Sequence, residues 1–218
     1  MEFNNVLEAR KSIRKYEPCE ISESELKEMV KAAGMAPSSD NVQNWHFAAI
    51  NDREIIRTIG RIAREKWQKA FDIYKDKDPE KGEKFEKFAS HFFFFFEDAD
   101  ALILVFAGDI DNRVNDILTA TGEDISVLYE LNIKRNNGLM NIGAAIENLL
   151  LKAVDMGYGA CWMTAANYAA PEITAYLKDE HGFDPEGKYM VSVIPIGKKT
   201  ETAGSPVKKP IDEVFTMI

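Results

Sequence analysis

Pro37-Ser38-Ser39-Asp40-Asn41-Val42-Gln43-Asn44-Trp45 packs a dense run of hydrogen-bonding side chains between two apolar segments. Upstream, Ser22 followed by Glu25 forms a capping box, and Leu26, Met29, Val30 and Ala33 recur at helical spacing until Gly34 and Pro37 end the helix. Downstream, Trp45 to Ile50 reads as a strand, and Asp52 caps a helix carrying Ile55, Ile56 and Ile59. The polar run therefore joins a helix to a strand. By pattern alone it is either an elaborate turn or a binding element.

Working outward, Val6, Leu7 and Arg10 belong to a short first helix, and Pro18 makes Tyr16-Glu17 extended. From Arg61 to Phe96 the chain is charged and helix-rich, with a weak point at Asp76-Lys77-Asp78-Pro79, and residues 61–98 read as a helical insertion or lid. Phe92 to Phe96 would place aromatics all round a helix, beyond one core-facing stripe; core packing, a subunit interface or a ligand cavity would each absorb them. Ala101 to Ala107 is the clearest buried strand, apolar on both faces. Asp124 to Lys134 is a further helix candidate, and Leu139 to Asp155 has the broadest apolar helical face. Gly157 to Met163 reads as turn then strand, Pro171 starts a helix, and Tyr189 to Ile196 is the last long strand. Residues 198–218 shift to a Lys-, Gly- and Pro-bearing tail whose Ile211, Val214, Phe215 and Ile218 need a surface, on the same domain or on a partner subunit. The expectation is a single α+β or three-layer domain over 1–218, with a mixed sheet of four or five strands.

Composition narrows the function. A chain of 218 residues buries a sizeable core without staples, and a net charge of -9 argues against nucleic-acid or anionic-membrane partners. Cys19 and Cys161 lack a CxxC spacing, and Met1 to Arg14 has no apolar core of signal-peptide length, so a cytoplasmic location is expected. Acids interrupt the most apolar stretches before they reach the length of a membrane span. HExxH, GxSxG, Walker A and GxGxxG motifs are absent, and His46, His91 and His181 have no metal-ligand spacing. With neither a marked nucleophile nor a metal cluster, redox chemistry has to come from a bound cofactor. Arg10, Ser12 and Lys208 are the kinds of donor that grip a phosphate.

At these residues the chain resembles the nitroreductase family of flavoproteins. The matching stretches are Arg10 to Tyr16, Ala32 to Trp45, Gly143 to Ala153, Gly157 to Trp162 and Lys208 to Val214, in family order and across nearly the whole length. The resemblance implies an FMN-binding α+β fold, an intertwined homodimer with tail exchange, and active sites at the subunit interface. It places Arg10, Ser12 and Lys208 at the FMN phosphate and ribityl end, and Arg14 at the pyrimidine edge. Ser38, Ser39, Asn41 and Gln43 would come from the other subunit, while Gly157, Tyr158 and Gly159 would let backbone approach the ring. It further implies ping-pong transfer from NAD(P)H through flavin to a nitroaromatic, quinone or related acceptor, with no single catalytic residue and no metal. An FMN-binding electron-transfer protein reduced by a ferredoxin-like donor, or a specialised dehalogenase or dehydrogenase, is the alternative on the same fold. Asn44 departs from the family's usual Pro, and Lys208 from its usual Arg.

Overall fold

In chain order the computed structural model runs through α1 (Phe3–Ala9), β1 (Tyr16–Glu17), α2 (Glu23–Ala33), β2 (Trp45–Ile50), α3 (Arg53–Lys77), α4 (Pro79–Phe92), β3 (Ala101–Ala107), α5 (Arg113–Ala120), α6 (Asn137–Asp155), β4 (Gly159–Ala160), α7 (Ala170–His181) and β5 (Tyr189–Lys199). It describes residues 1–110, 113–122, 124, 126, 127, 130, 136–200 and 207–218. The helix expected over 124–134 lies largely outside the described residues.

The strand order is β1-β5-β3-β2, with β4 also on β5. All these pairs are antiparallel, and a parallel bridge joins Ser12 to Ala160 outside the named strands. β5 pairs with β3 through Tyr189 to Ile196, and its C-terminal end also serves β4 and β1.

All seven residues of β3 are buried, because alternate side chains enter different cores. Leu102, Leu104 and Phe106 pack with Ile56, Ile59 and Ala63 of α3 and with Ile173 and Leu177 of α7. Ala101, Ile103, Val105 and Ala107 pack with Leu26, Met29 and Ala33 of α2 and with Ile142, Ala145, Ile146 and Leu149 of α6. Each fully buried aliphatic side chain contributes roughly 1.5–3 kcal/mol. Helices thus cover both faces of the sheet.

Caps set the helix starts as expected. Ser22 and Glu25 form a reciprocal box at α2, and Asp52 accepts from the N–H groups of Glu54 at 2.8 Å and Ile55 at 3.3 Å. Asp78 ends α3 and caps α4, accepting from Lys81 N at 3.1 Å, with Pro79 in the first turn. The two helices fold back on each other so closely that a Cβ on Gly82 would lie 2.7 Å from Lys75 Cα. Aromatic contacts fill the seam, with Phe71 and Phe85 ring centroids 6.0 Å apart and Trp67 and Phe93 4.9 Å apart.

The aromatic run departs from the expectation of a continuous helix. α4 stops at Phe92, Phe93 is its cap, and Phe95–Asp98 is a separate 3-10 turn. Phe94 and Phe96 are buried in the β3 core and Phe93 and Phe95 pack against it, so core packing absorbs most of the run. Phe85, Phe88 and Phe92 remain exposed along α4. Exposed too are Val207, Ile211, Val214, Phe215, Met217 and Ile218 of the tail. Among the described residues no helix is long and apolar enough to cross a membrane.

Candidate active site

The segment leaving α1 is strapped onto the end of the sheet. Ile13 N donates to Ala160 O at 3.0 Å, and the Ile13 side chain is buried against Gly159. With Ile13 turned inward, the alternation of an extended chain turns Ser12 and Arg14 outward. Arg10 Nε lies 3.2 Å from Glu147 Oε1 on α6, which orients the guanidinium. Arg10, Lys11 and Ser12 share a cleft of about 240 Å³ with Glu147, Ala160 and Trp162.

Cys161 lies behind this cleft. Burial pushes its thiol up, against the opposing pulls of Arg14, of a hydrogen bond with Ser12, and of Arg10. The thiol itself is held protonated and is a poor nucleophile. Arg14 also faces the aromatic end of the α3–α4 hairpin, its guanidinium carbon 5.8 Å from the Phe92 ring centroid and 5.9 Å from that of Phe95.

The glycine turn is built for close contact on one side only. A Cβ on Gly159 would collide with Ile13, whereas one on Gly157, at φ 89°, would meet nothing within 4 Å. Between them Tyr158 turns back into the scaffold and donates to Glu25 Oε1 at 2.7 Å. Burial, then this bond, push the Tyr158 phenol up to about 12. Only the backbone of Tyr158 is thus left for a ligand.

The loop after α2 has an unusual backbone. Asp40, Asn41 and Gln43 have φ of 51°, 56° and 46°, a left-handed conformation costly for residues with a Cβ. Gln43 N donates to Ser38 Oγ at 3.1 Å, and Gln43 Nε2 to Asn41 Oδ1 at 3.3 Å. The residue before a proline is pushed toward extended backbone, so Pro at position 44 would oppose the Gln43 conformation seen here. Asn44 is instead buried and uses its side chain within the fold, donating to the carbonyls of Gly108 at 2.9 Å and Gly138 at 3.4 Å.

The strap packed on Gly159 carries Arg10 and Ser12 to one cleft, whereas Arg14 lines a second cleft with Tyr16, Arg53 and Glu97. Ser38, Ser39, Asn41 and Gln43 sit elsewhere. Ser39 is tied to Asn141 near the start of α6, whereas Arg10 meets Glu147, roughly 9 Å farther along that helix by its rise per residue. Neither this loop nor the exposed Lys208 lines the Arg10 cleft of the same chain. Lys11, Glu147 and Trp162 also line the candidate cleft and were not singled out from the sequence. All three fall inside the matched stretches, and Glu147 is the acid on an otherwise apolar turn of α6.

A family model described as the nitroreductase family matches residues 7–198. The chain belongs to the nitroreductase family. A BluB-like flavoprotein of Clostridium difficile 630 is similar over 100% of this chain and 99% of its own, with 35% identity and a TM-score of 0.95. A Bacteroides fragilis nitroreductase solved with bound FMN shares the fold at a TM-score of 0.68 and 22% identity, covering 100% of this chain and 99% of its own. A 4-nitrobenzoate reductase of Nocardioides sp. is 27% identical over 73% of this chain and 67% of its own.

The donor set of this nitroreductase-family cleft fits the phosphate end of a flavin nucleotide. It offers a planar guanidinium, an ammonium and a hydroxyl on one concave surface, with Ala160 of β4 behind them.

Proposed function

We propose that the chain is an FMN-dependent oxidoreductase that takes hydride from NADH or NADPH and passes it to nitroaromatic, quinone or related acceptors in a ping-pong cycle. The observation that carries this reading is the convergence of Arg10, Lys11 and Ser12 on one cleft beside the glycine-backed turn, in a chain of this family. Bound FMN supplies the hydride chemistry, which accounts for the lack of a protein nucleophile.

The chain's residues bind and orient. Arg10, Lys11 and Ser12 hold the phosphate and ribityl end, and Arg14 balances negative charge at the pyrimidine edge. Gly157 to Gly159 present backbone, and the α3–α4 hairpin, with Phe92 beside Arg14, serves as the lid.

The working unit in this reading is an intertwined homodimer. Exposed Ile211, Val214, Phe215 and Ile218 give the tail an apolar surface to bury, matched by exposed Met1, Phe3 and Met35 around α1 and α2. Exchange of tails supplies Lys208, and the second copy supplies Ser38, Ser39, Asn41 and Gln43. That division explains why the loop and the Arg10 cleft lie apart in one chain.

Anaerobic titration of the purified protein is the test. The expected result is a yellow protein bleached by NADH or NADPH and recoloured by a nitroaromatic or quinone; a colourless protein that also fails to take up added FMN overturns the reading. The likeness to the BluB-like flavoprotein at 35% identity favours a second reading, in which the same fold performs a specialised flavin-dependent conversion. Product analysis after anaerobic reduction separates the two.

A further inference from the structure

The side chains of Asn44 and Asn141 form a relay in which each orientation dictates the next. Gly108 and Gly138 present carbonyl oxygens, which only accept, so the Asn44 amide nitrogen must face them. Its oxygen is thereby turned toward α6, where Asn141 Nδ2 donates to it at 3.1 Å. That in turn leaves the Asn141 oxygen to accept from Ser39 N at 3.2 Å. Both side chains are buried, at 7% and 6% exposure, where an unmet polar group is costly. The backbone reinforces the knot, with Gly108 N donating to Asn44 O at 2.7 Å.

The relay ties three segments, the entry to β2, the exit of β3 and the first turns of α6, to one N–H of the loop. That N–H opens the 3-10 turn Ser39–Asn41, which holds the left-handed Asp40 and Asn41 and is followed by the left-handed Gln43. Such conformations persist when the surroundings over-determine them. The two bonds from Gln43 stay inside the loop and are exposed, so they shape it without anchoring it.

We propose that Asn44 and Asn141 are positioning residues that hold Ser38, Ser39 and Asn41 in the geometry that meets the cofactor across the subunit interface. The inference rests on the reading of that loop as a cofactor contact. A proline limits the loop by its ring; this chain uses a directional pair of amides, which leaves Gln43 free to be left-handed.

FMN binding to the FMN-free dimer, read by flavin fluorescence, is measured for Asn141→Ala and for Asn148→Ala. Asn148 is on the same helix and donates to Ala32 O at 3.3 Å, away from the loop. Asn141→Ala loses two hydrogen bonds and Asn148→Ala one, so the Tm of each FMN-free variant is measured beside its Kd. Asn141→Ala is expected to raise the FMN Kd at least about tenfold, the scale of one lost charge-free contact plus its orientation. Asn148→Ala is expected to leave it within about twofold. Equal Kd values for the two variants overturn the proposal. If Asn141→Ala does not fold, Ser39→Pro, which deletes the tied N–H, is compared with Ser39→Ala, which keeps it; weaker FMN binding by the proline variant supports the relay and equal binding overturns it. Unchanged binding by a Ser39→Ala/Asn41→Ala double variant, with Arg10→Ala still weakened, removes the loop from the cofactor and the relay proposal with it, while the FMN reading stands. A wild-type protein that binds no FMN overturns the functional reading itself.

Discussion

Gly159 and Ile13 meet with no room for a side chain between them. A methyl group on Gly159 would lie 2.8 Å from both Cγ atoms of Ile13, and Ile13 is itself buried and branched at Cβ. Gly159→Ala is therefore expected to lower stability by about 1–3 kcal/mol, the usual cost of overpacking. Because Ile13 anchors the Arg10–Arg14 strap, FMN retention falls with it. Thermal unfolding and flavin content of the purified variant check both effects.

Arg10→Ala separates binding from folding. The Arg10 side chain is 22% exposed and its partner Glu147 44%, so their ion pair is solvent-screened and the Tm of the FMN-free protein should change little. A charge-assisted phosphate contact is worth about 1.5–3 kcal/mol, which corresponds to roughly ten- to a hundredfold in FMN Kd. Equal losses of Tm and affinity would count against the phosphate assignment.

Much of this architecture is legible in the chain because its signals are local. The Ser22–Glu25 box, the Asp52 cap, the Pro79 restart and the unbroken apolar run of β3 each announce an element from adjacent residues. The end of α4 at Phe92 is harder to see, since neither Gly nor Pro marks it and the stop comes from Phe94 and Phe96 being drawn into the core. The left-handed residues of the Ser38–Gln43 loop are hidden for a related reason. Nothing in Asp40 or Gln43 demands positive φ, and the side chains that hold the loop, Asn44 and Asn141, are far apart in sequence. For the proposed site, Arg10 and Ser12 stand out in the sequence by their donor chemistry, whereas the Glu147 partner of Arg10 is visible only once α6 lies beside the strap.

The bond between Tyr158 and Glu25 makes stability depend on pH at both ends. Glu25 is held below the usual carboxylate range by its hydrogen bonds with the Ser22 side chain, Tyr158 and the Ser22 backbone. A depressed carboxyl contributes stability above its unfolded value, near 4.5, and loses it as pH falls through the lower folded value. Tyr158 has the opposite sign. Its raised phenol contributes stability below an unfolded value of 10, and this is lost as pH climbs toward about 12. Tyr158→Phe should flatten the alkaline arm of a Tm-against-pH curve and shrink the acid arm, where the Ser22 bonds remain.

Removal of residues 207–218 takes away Lys208 together with the exposed Ile211, Val214, Phe215 and Ile218. The truncated chain is expected to sediment as a monomer and to bind FMN at least about tenfold more weakly, one lost charged contact at the phosphate. Lys208→Arg in the full chain should do the reverse, since a forked guanidinium makes two contacts where an ammonium makes a point contact. A truncated chain that remains dimeric would separate the tail from assembly.

The division of β3 between the two cores has a thermodynamic corollary. Its even-numbered side chains belong to the layer of α3 and α7 and its odd-numbered ones to the layer of α2 and α6, so neither layer melts without exposing the backbone on which the other is mounted. The molecule is in that sense expected to melt as a single calorimetric unit: loosening the core at Phe94 or Phe96 would be felt at Ile103 and Val105, and through α6 at Asn141 and Glu147, beside the proposed binding groups.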